Sequence, residues 1–340
     1  MSDADNFLGI VAMVKSLRRQ RHHEPITVLD LGLSPAQRDV LRSDVELVRL
    51  PEVDGRHPFF LAPYPFLLDA VGTVVTIDAD VIVTQTLEPV LAAAADGMVC
   101  AAPDLVSDRW FAEWQSIFGL ERAPRHGVYV NAGFVAFSTE HFPDLLRRWW
   151  ECCDGLAATH SWPLPAADPV GYLDQDALDA ILMSEVPEAR LWLLPEESAI
   201  QGTDRLAHTK VVNRRRLACR YEGRATVLLH AVRPRKPWQP AARRDLRRTA
   251  YLTCLRELLV RPDAPAVPRA MAPAWLRPGL VSASTMRALF ALRSIRRGKA
   301  RAGRVLRSIK RQLPVKRGSR SSAAAARISA KSSLRLMNVW

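Results

Sequence analysis

Apolar and polar positions fall in blocks along this chain, and the period changes from block to block. Helical spacing runs through Asn6–Arg19, Pro35–Arg42, Phe66–Ala70, His141–Cys153 and Arg243–Val260. Between them lie short apolar runs rich in β-branched residues: Ile26–Leu31, Val45–Leu50, Val74–Val83, Tyr129–Ser138 and Val227–His230. Such alternation predicts an α/β sheet with helices on both faces and a ligand site over the carboxyl ends of its strands. No internal repeat is visible.

Four of these blocks carry chemistry. VVTIDADVIV (Val74–Val83) places Asp78 and Asp80 in D-x-D spacing at the end of a strand pattern. Side chains two apart share a face, so both carboxylates aim the same way and repel unless a cation lies between them. Hard oxygen ligands suit Mg²⁺ or Mn²⁺, ions that also take substrate phosphates; the alternative is a solvated turn. YVNAGFVAFS (Tyr129–Ser138) contains Asn131-Ala132-Gly133. Gly133 marks either a bulge or close backbone approach to a ligand, and Asn131 adds a neutral donor and acceptor. LDQDALDAIL (Leu173–Leu182) opens a helical pattern with Asp174, Gln175 and Asp176, acids that ordinary capping also explains. VLLHAVRPRKPW (Val227–Trp238) ends a strand on His230, a candidate third metal ligand. Lys236, six residues on, suits a phosphate oxygen as a point charge.

In this order and spacing, over about residues 2–243, the segments resemble the glycosyltransferase family 8 group of the GT-A fold, which includes glycogenin-like and lipopolysaccharide galactosyltransferase-like enzymes. The opening, DADNFLGIVAMVKSLRR, resembles the family's first loop and helix. The resemblance implies a GT-A nucleotide-diphospho-sugar transferase fold with a mostly parallel central sheet. It implies Mn²⁺ or Mg²⁺ on Asp78, Asp80 and His230, and a nucleoside diphosphate sugar, a UDP-sugar first, as donor. Lys236 would contact the diphosphate. Asp5 and Phe7 would lie at the nucleoside, with Phe7 stacking on the base. Asn131, Ala132 and Gly133 would lie near the donor sugar and acceptor. Asp174 and Gln175 would lie beside the anomeric centre as catalytic groups, with Asp174, the Gln175 carbonyl or both steadying the oxocarbenium-like sugar. The implied reaction is a retaining sugar transfer to a glycan or glycolipid acceptor.

The departures from the family pattern are specific. A full strand usually precedes the first loop; here only MSDADNF stands before the helix. Phe7 replaces a tyrosine, and Ala62 stands where a basic residue is common. Ala231 and Arg233 alter the last motif, where Arg233 or Arg235 could restore charge. These differences keep a non-catalytic GT-A relative, acting as a binding or scaffold module, as an alternative. A nucleotidyltransferase would want a glycine-rich, basic phosphate loop near the first strand, and the sequence has none.

Charge then divides the chain. Residues 1–260 carry 29 Lys/Arg against 34 Asp/Glu, and residues 261–340 carry 19 against 1. Residues 1–260 read as the transferase domain, 261–278 as a Pro/Ala-rich linker and 279–340 as a basic tail. Within the tail, 286–313 is amphipathic and basic, so it lies on an anionic membrane surface, docks on its own domain or stays disordered. Nucleic-acid binding has no supporting motif. The five cysteines show no ligand spacing and read as reduced thiols. With no basic n-region and no apolar run of membrane-spanning length, the expectation is a cytoplasmic protein, peripheral on the inner face of the plasma membrane if the tail docks there.

Overall fold

The computed structural model describes all residues except 54, 162, 233–235, 240–248, 262–265, 274–275 and 277–340. The basic tail, Arg233 and Arg235 therefore lie outside the described residues. The fold opens with helix α1 (Phe7–Arg19), which is apolar on nearly every side and buries ten of its residues. A helix of that composition belongs inside a core. Strand β1 (Thr27–Leu29), helix α2 (Pro35–Leu41) and strand β2 (Glu46–Val48) follow, with β1 and β2 parallel. Ser34 caps α2 in a reciprocal box with Gln37, and Pro35 occupies the first turn, where its missing N–H costs nothing. Where a helix over Phe66–Ala70 was predicted, a 3₁₀ helix spans Tyr64–Leu68.

The run Val74–Val83 is two strands rather than one. Strand β3 (Thr73–Ile77) and strand β4 (Val81–Val83) belong to different sheets, and the D-x-D segment is the turn that passes between them. Next come α3 (Glu88–Ala95), β5 (Val99–Pro103), α4 (Trp114–Ile117), β6 (Val130–Ser138), α5 (Leu145–Thr159) and α6 (Asp174–Ser184). Then follow β7 (Leu191–Leu193), β8 (Ala199–Gln201), α7 (Thr203–His208), β9 (Lys210–Asn213), β10 (Ala218–Tyr221), β11 (Arg224–Ala225), β12 (Leu228–His230) and α8 (Ala250–Leu259). One sheet has the order β3-β6-β5-β7 and another β4-β12-β8.

The expected mostly parallel pairing is corrected here. β6 runs antiparallel to both β3 and β5, β12 runs antiparallel to β4, and β7 and β8 add parallel edges. Alternation of elements predicts helix-bearing crossovers between parallel strands. The β5–β6 connection instead carries only the four-residue α4, and the chain returns antiparallel.

β6 is the spine of the domain, with all nine residues buried. Phe134 and Ala136 pack into the core with α1, α3 and α8, while Val135 and Phe137 face the core with α5 and α6. Each buried Phe side chain contributes about 1.5–3 kcal/mol of hydrophobic stabilisation. Val267, Ala272 and Leu276, in the stretch read as a linker, are buried in the α1 core. Ser2 forms a single parallel bridge with Asp30 of the chain beyond β1. A cleft of about 210 Å³ lies between β1 and β3, bordered by Met1, Ala62 and Asp78. Among the described residues no helix is long and apolar enough to cross a membrane.

Two glycines test this packing. A Cβ at Gly9 would lie 2.2 Å from the Trp238 ring and 2.6 Å from the Ala79 carbonyl, whereas one at Gly155 in α5 would meet open space. Gly9→Ala is expected to cost about 1–3 kcal/mol by overpacking, a Tm fall of roughly 2–10 °C. Gly155→Ala is expected to raise Tm, because alanine is the better helix former. Thermal unfolding by circular dichroism reads both; equal Tm values for the two variants would contradict the packing of α1 on the D-x-D turn.

Candidate active site

The D-x-D turn is held from three sides. The Asp78 N–H donates to the Gly133 carbonyl at 2.9 Å, and the Val81 N–H donates back to the Asp78 carbonyl at 3.1 Å. The Ala231 N–H donates to the Asp80 carbonyl at 3.1 Å. The β4–β12 register pairs Val81 with His230, so the histidine ends its strand beside the turn. Its Nε2 lies 3.2 Å from Asp80 Oδ1 and 3.5 Å from Asp78 Oδ2. Lys236 donates from Nζ to Asp80 Oδ2 at 2.8 Å. Residues far apart in sequence thus converge on one point.

Gly133 is required by that convergence. A Cβ there would fall 2.4 Å from His230 Cε1 and 2.7 Å from Asp78 Oδ2. The bulge reading of the glycine is found, because the β5–β6 register shifts between Ala101 and Ala102, opposite Ala132–Phe134, and the close approach there is to the His230 and Asp78 side chains.

The electrostatics follow from burial. Asp80 is 3 % exposed and His230 6 %, while the Asp78 side chain is half exposed. Burial would push the Asp80 carboxyl up, but Lys236 and His230 outweigh it and hold it well below the usual carboxylate range. Burial would lower the His230 imidazole, yet Asp80 and Asp78 raise it to about 9. Lys236 is likewise raised against its burial by Asp80. Two acids facing one imidazole thus hold a proton between them. One oxygen from each acid and one imidazole nitrogen all lie within 4.8 Å of one another. This O,O,N donor set fits Mn²⁺ or Mg²⁺, with the ion replacing the imidazole proton. A second group of metal-ligand residue types is His22, Glu24 and Glu88. His22 Nε2 already accepts from the Leu87 N–H at 2.8 Å, which leaves its Nδ1 as the protonated nitrogen facing Glu24.

A polar network extends from the same strand. Asn131 is buried and donates to Asp104 Oδ2 at 2.7 Å and to Gln175 Oε1 at 3.1 Å, while accepting from the Gly133 N–H. The Ala132 N–H also donates to Gln175 Oε1. The Gln175 carbonyl oxygen thus accepts two hydrogen bonds from β6. Asp174 opens α6 directly after Leu173, whose φ of 49° is strained for a branched side chain. Burial raises the Asp174 carboxyl well above its ordinary value, and the Asp78 charge adds to the shift. Asp176, at 0 % exposure, accepts from Arg109 at 2.5 and 2.7 Å and from the Tyr129 hydroxyl at 2.7 Å. Arg109 also donates to the carbonyls of Ala166 and Asp168, tying that loop to the start of α6.

The N-terminal residues divide. Trp238 donates from Nε1 to the Asp5 carbonyl at 2.6 Å, pinning the first loop to the last motif, and the Asp5 side chain is exposed. Phe7 is 2 % exposed inside the core, so its ring offers no face to a base; as the first residue of an all-round apolar helix it is drawn inward. Ala62 lines the β1–β3 cleft. Arg18, also on its lining, has its guanidinium committed to the carbonyls of His22, Glu24 and Asp44. Asp104 and Arg109 were missed from sequence. Asp104 follows strand β5 as Asp78 follows β3, which is the one local signal that could have found it.

No family model matches the chain, and no curated protein does. The fold is shared with a galactosyltransferase, LgtC, solved in complex with donor and acceptor sugar analogs. That match is 15 % identical, covers 79 % of this chain and 96 % of that one, and has a TM-score of 0.51. Other solved structures with a likeness are the apo-form glycosyltransferase GlyE of Streptococcus pneumoniae (18 % identity, 70 % and 55 % covered, TM-score 0.41) and mouse xyloside xylosyltransferase 1 (16 %, 58 % and 83 %, 0.35). The chain therefore has the GT-A fold.

The trapped proton gives the site a pH signature. With His230 at about 9, a cation must displace the proton at any lower pH, so affinity rises with pH. The Mn²⁺ Kd is expected to fall roughly tenfold per pH unit from 6.5 upward and to level off near 9, with about one proton released per ion. Calorimetric titration in buffers of different ionisation heat measures both quantities. A Kd that is flat across this window would remove His230 from the ligand set.

Proposed function

We propose that this protein is a metal-dependent glycosyltransferase that moves a hexose from a nucleoside diphosphate sugar, UDP-sugars being the first candidates, with retention of configuration. The observation that carries the reading is the convergence of Asp78, Asp80 and His230, with Lys236 on the same carboxylate, in the GT-A fold. A bound Mn²⁺ or Mg²⁺ would supply Lewis-acid stabilisation of the diphosphate leaving group. Asp78, Asp80 and His230 would hold it. Lys236, which is paired with Asp80, would turn its ammonium to the diphosphate oxygens when Asp80 is committed to the ion.

Burial first, and then the Asp78 charge, raise the Asp174 carboxyl. With Asp78 holding a cation the second contribution would fall, which would favour the Asp174 carboxylate, the form that could steady positive charge on the sugar. Asn131 and Gln175 hold each other beside it, and Asp104 adds an acceptor for sugar hydroxyls. Gln175 then serves as a positioning residue through its bonds to β6. The acceptor is a glycan or lipid-linked saccharide, and the basic residues beyond 278 suit an anionic membrane where such acceptors are assembled. The non-catalytic reading retains one observation in its favour, Ala62 on the cleft.

Hydrolysis of a panel of nucleotide sugars with Mn²⁺ or Mg²⁺ tests this without a guess at the acceptor. One donor should turn over only with metal. Asp80→Ala and His230→Ala should abolish turnover, and Lys236→Ala should lower kcat by about 10²–10³-fold. Absence of turnover together with absence of metal-dependent nucleotide binding would establish the binding-module reading instead.

A further inference from the structure

Charge is unevenly placed within the folded domain. Residues 1–209 carry 15 Lys/Arg against 31 Asp/Glu, whereas residues 210–248 carry 13 against 2. The first six of those cations, Lys210, Arg214, Arg215, Arg216, Arg220 and Arg224, fall on one small antiparallel sheet, β11-β10-β9, or on its β9–β10 turn. All six are exposed. Arg224 pairs with Glu197. The side chains of the other five have no ion-pair or hydrogen-bond partner among the described residues.

The backbone under these cations is fixed. Arg19 and Gln20 at the end of α1 donate to the carbonyls of Arg215 and Arg216, and the Arg216 N–H donates to the Asn213 side chain. Leu217 and Cys219 turn inward, and Cys219 Sγ lies 3.7 Å from Cys254 Sγ in α8. The register sets Lys210 directly opposite Arg220. Like charges across a ladder are destabilising, and an external anion removes that cost. Val212, next but one to Lys210 at the register shift between β9 and β10, is 57 % exposed.

We propose that the outer face of β9–β11 docks on an anionic membrane surface, with Val212 entering the headgroup region and the unpaired cations engaging lipid phosphates. Each Lys or Arg brought near such a surface strengthens binding about fivefold. The exposed apolar Val212 favours a lipid surface over nucleic acid. Tyr221, next to Arg220 on β10, packs against the core on the opposite face, so it offers no ring on the outer face for a base to stack on. The inference does not depend on the transferase reading, since none of these residues belongs to the Asp78–Asp80–His230 cluster.

The five native cysteines are buried, so Val212→Cys in the full chain creates an exposed thiol for an environment-sensitive fluorophore. The probe is a set of vesicles of phosphatidylcholine with or without phosphatidylglycerol, beside duplex DNA of equal phosphate concentration. Phosphatidylglycerol vesicles should shift the label's emission to the blue and brighten it; pure phosphatidylcholine should not. Lys210→Glu/Arg214→Glu/Arg220→Glu should abolish the shift and weaken vesicle sedimentation at least tenfold, with the far-ultraviolet circular dichroism unchanged. An unchanged label on protein that sediments with the vesicles would overturn the proposal, because the tail would then bind alone. A label that responds to DNA and not to vesicles, or to both vesicle types equally, would overturn it as well.

Discussion

A carboxylate kept charged inside the protein is the constraint on which the rest of this structure turns. Asp80 is 3 % exposed, and an isolated charge there would neutralise itself. It remains ionised because Lys236 and His230 stand on its two oxygens. The half-exposed Asp78 adds a second negative charge to the same imidazole. In the absence of a cation, a proton on His230 and the Lys236 ammonium balance the two acids. Such a cluster can exchange its proton for a divalent ion with little rearrangement, since the ligand atoms already lie within 4.8 Å of one another.

The architecture supplies the closeness this requires. The D-x-D turn passes between two sheets, so β6 can hold Asp78 from one side while β12 delivers His230 from the other. Glycine is needed where backbones crowd the turn: Gly133 under His230, and Gly9 where α1 meets Ala79 and Trp238. Trp238 fills the space beside α1 and reaches the Asp5 carbonyl, which explains physically why a bulky aromatic follows Lys236 so closely. The buried Arg109–Asp176 pair does for α6 what Lys236 and His230 do for the turn: opposite charges compensate burial and fix the start of a helix.

Much of this was legible in the sequence, and the misses have physical reasons. Period-3.6 and period-2 patterns located α1, α2, β6 and β12 to within a residue, because their burial is one-sided or complete along their length, while α5 begins four residues and ends six residues later than its pattern predicted. The same patterns read Val74–Val83 as one strand. An apolar run reports burial, not which sheet each half joins, and the split is visible only through the pairings with β6 and β12. Asp78, Asp80, Gly133, His230 and Lys236 could be found because strand ends and short spacings betray them. Phe7 was misplaced because an aromatic at a helix start looks alike whether it faces a ligand or the core, and the all-round apolar α1 decides for the core. Arg109 and Asp104 lie in a loop without periodicity, and their partners Asp176 and Asn131 are distant in sequence, so only the fold reveals them.

The most direct test of the central claim is electron paramagnetic resonance of Mn²⁺ bound to the protein together with a nucleoside diphosphate. One ion should show hyperfine coupling to an imidazole nitrogen and to phosphorus at once, with the nitrogen coupling lost in His230→Ala. Phosphorus coupling without nitrogen coupling in the unaltered protein would place the ion outside the Asp78–Asp80–His230 cluster and contradict the account.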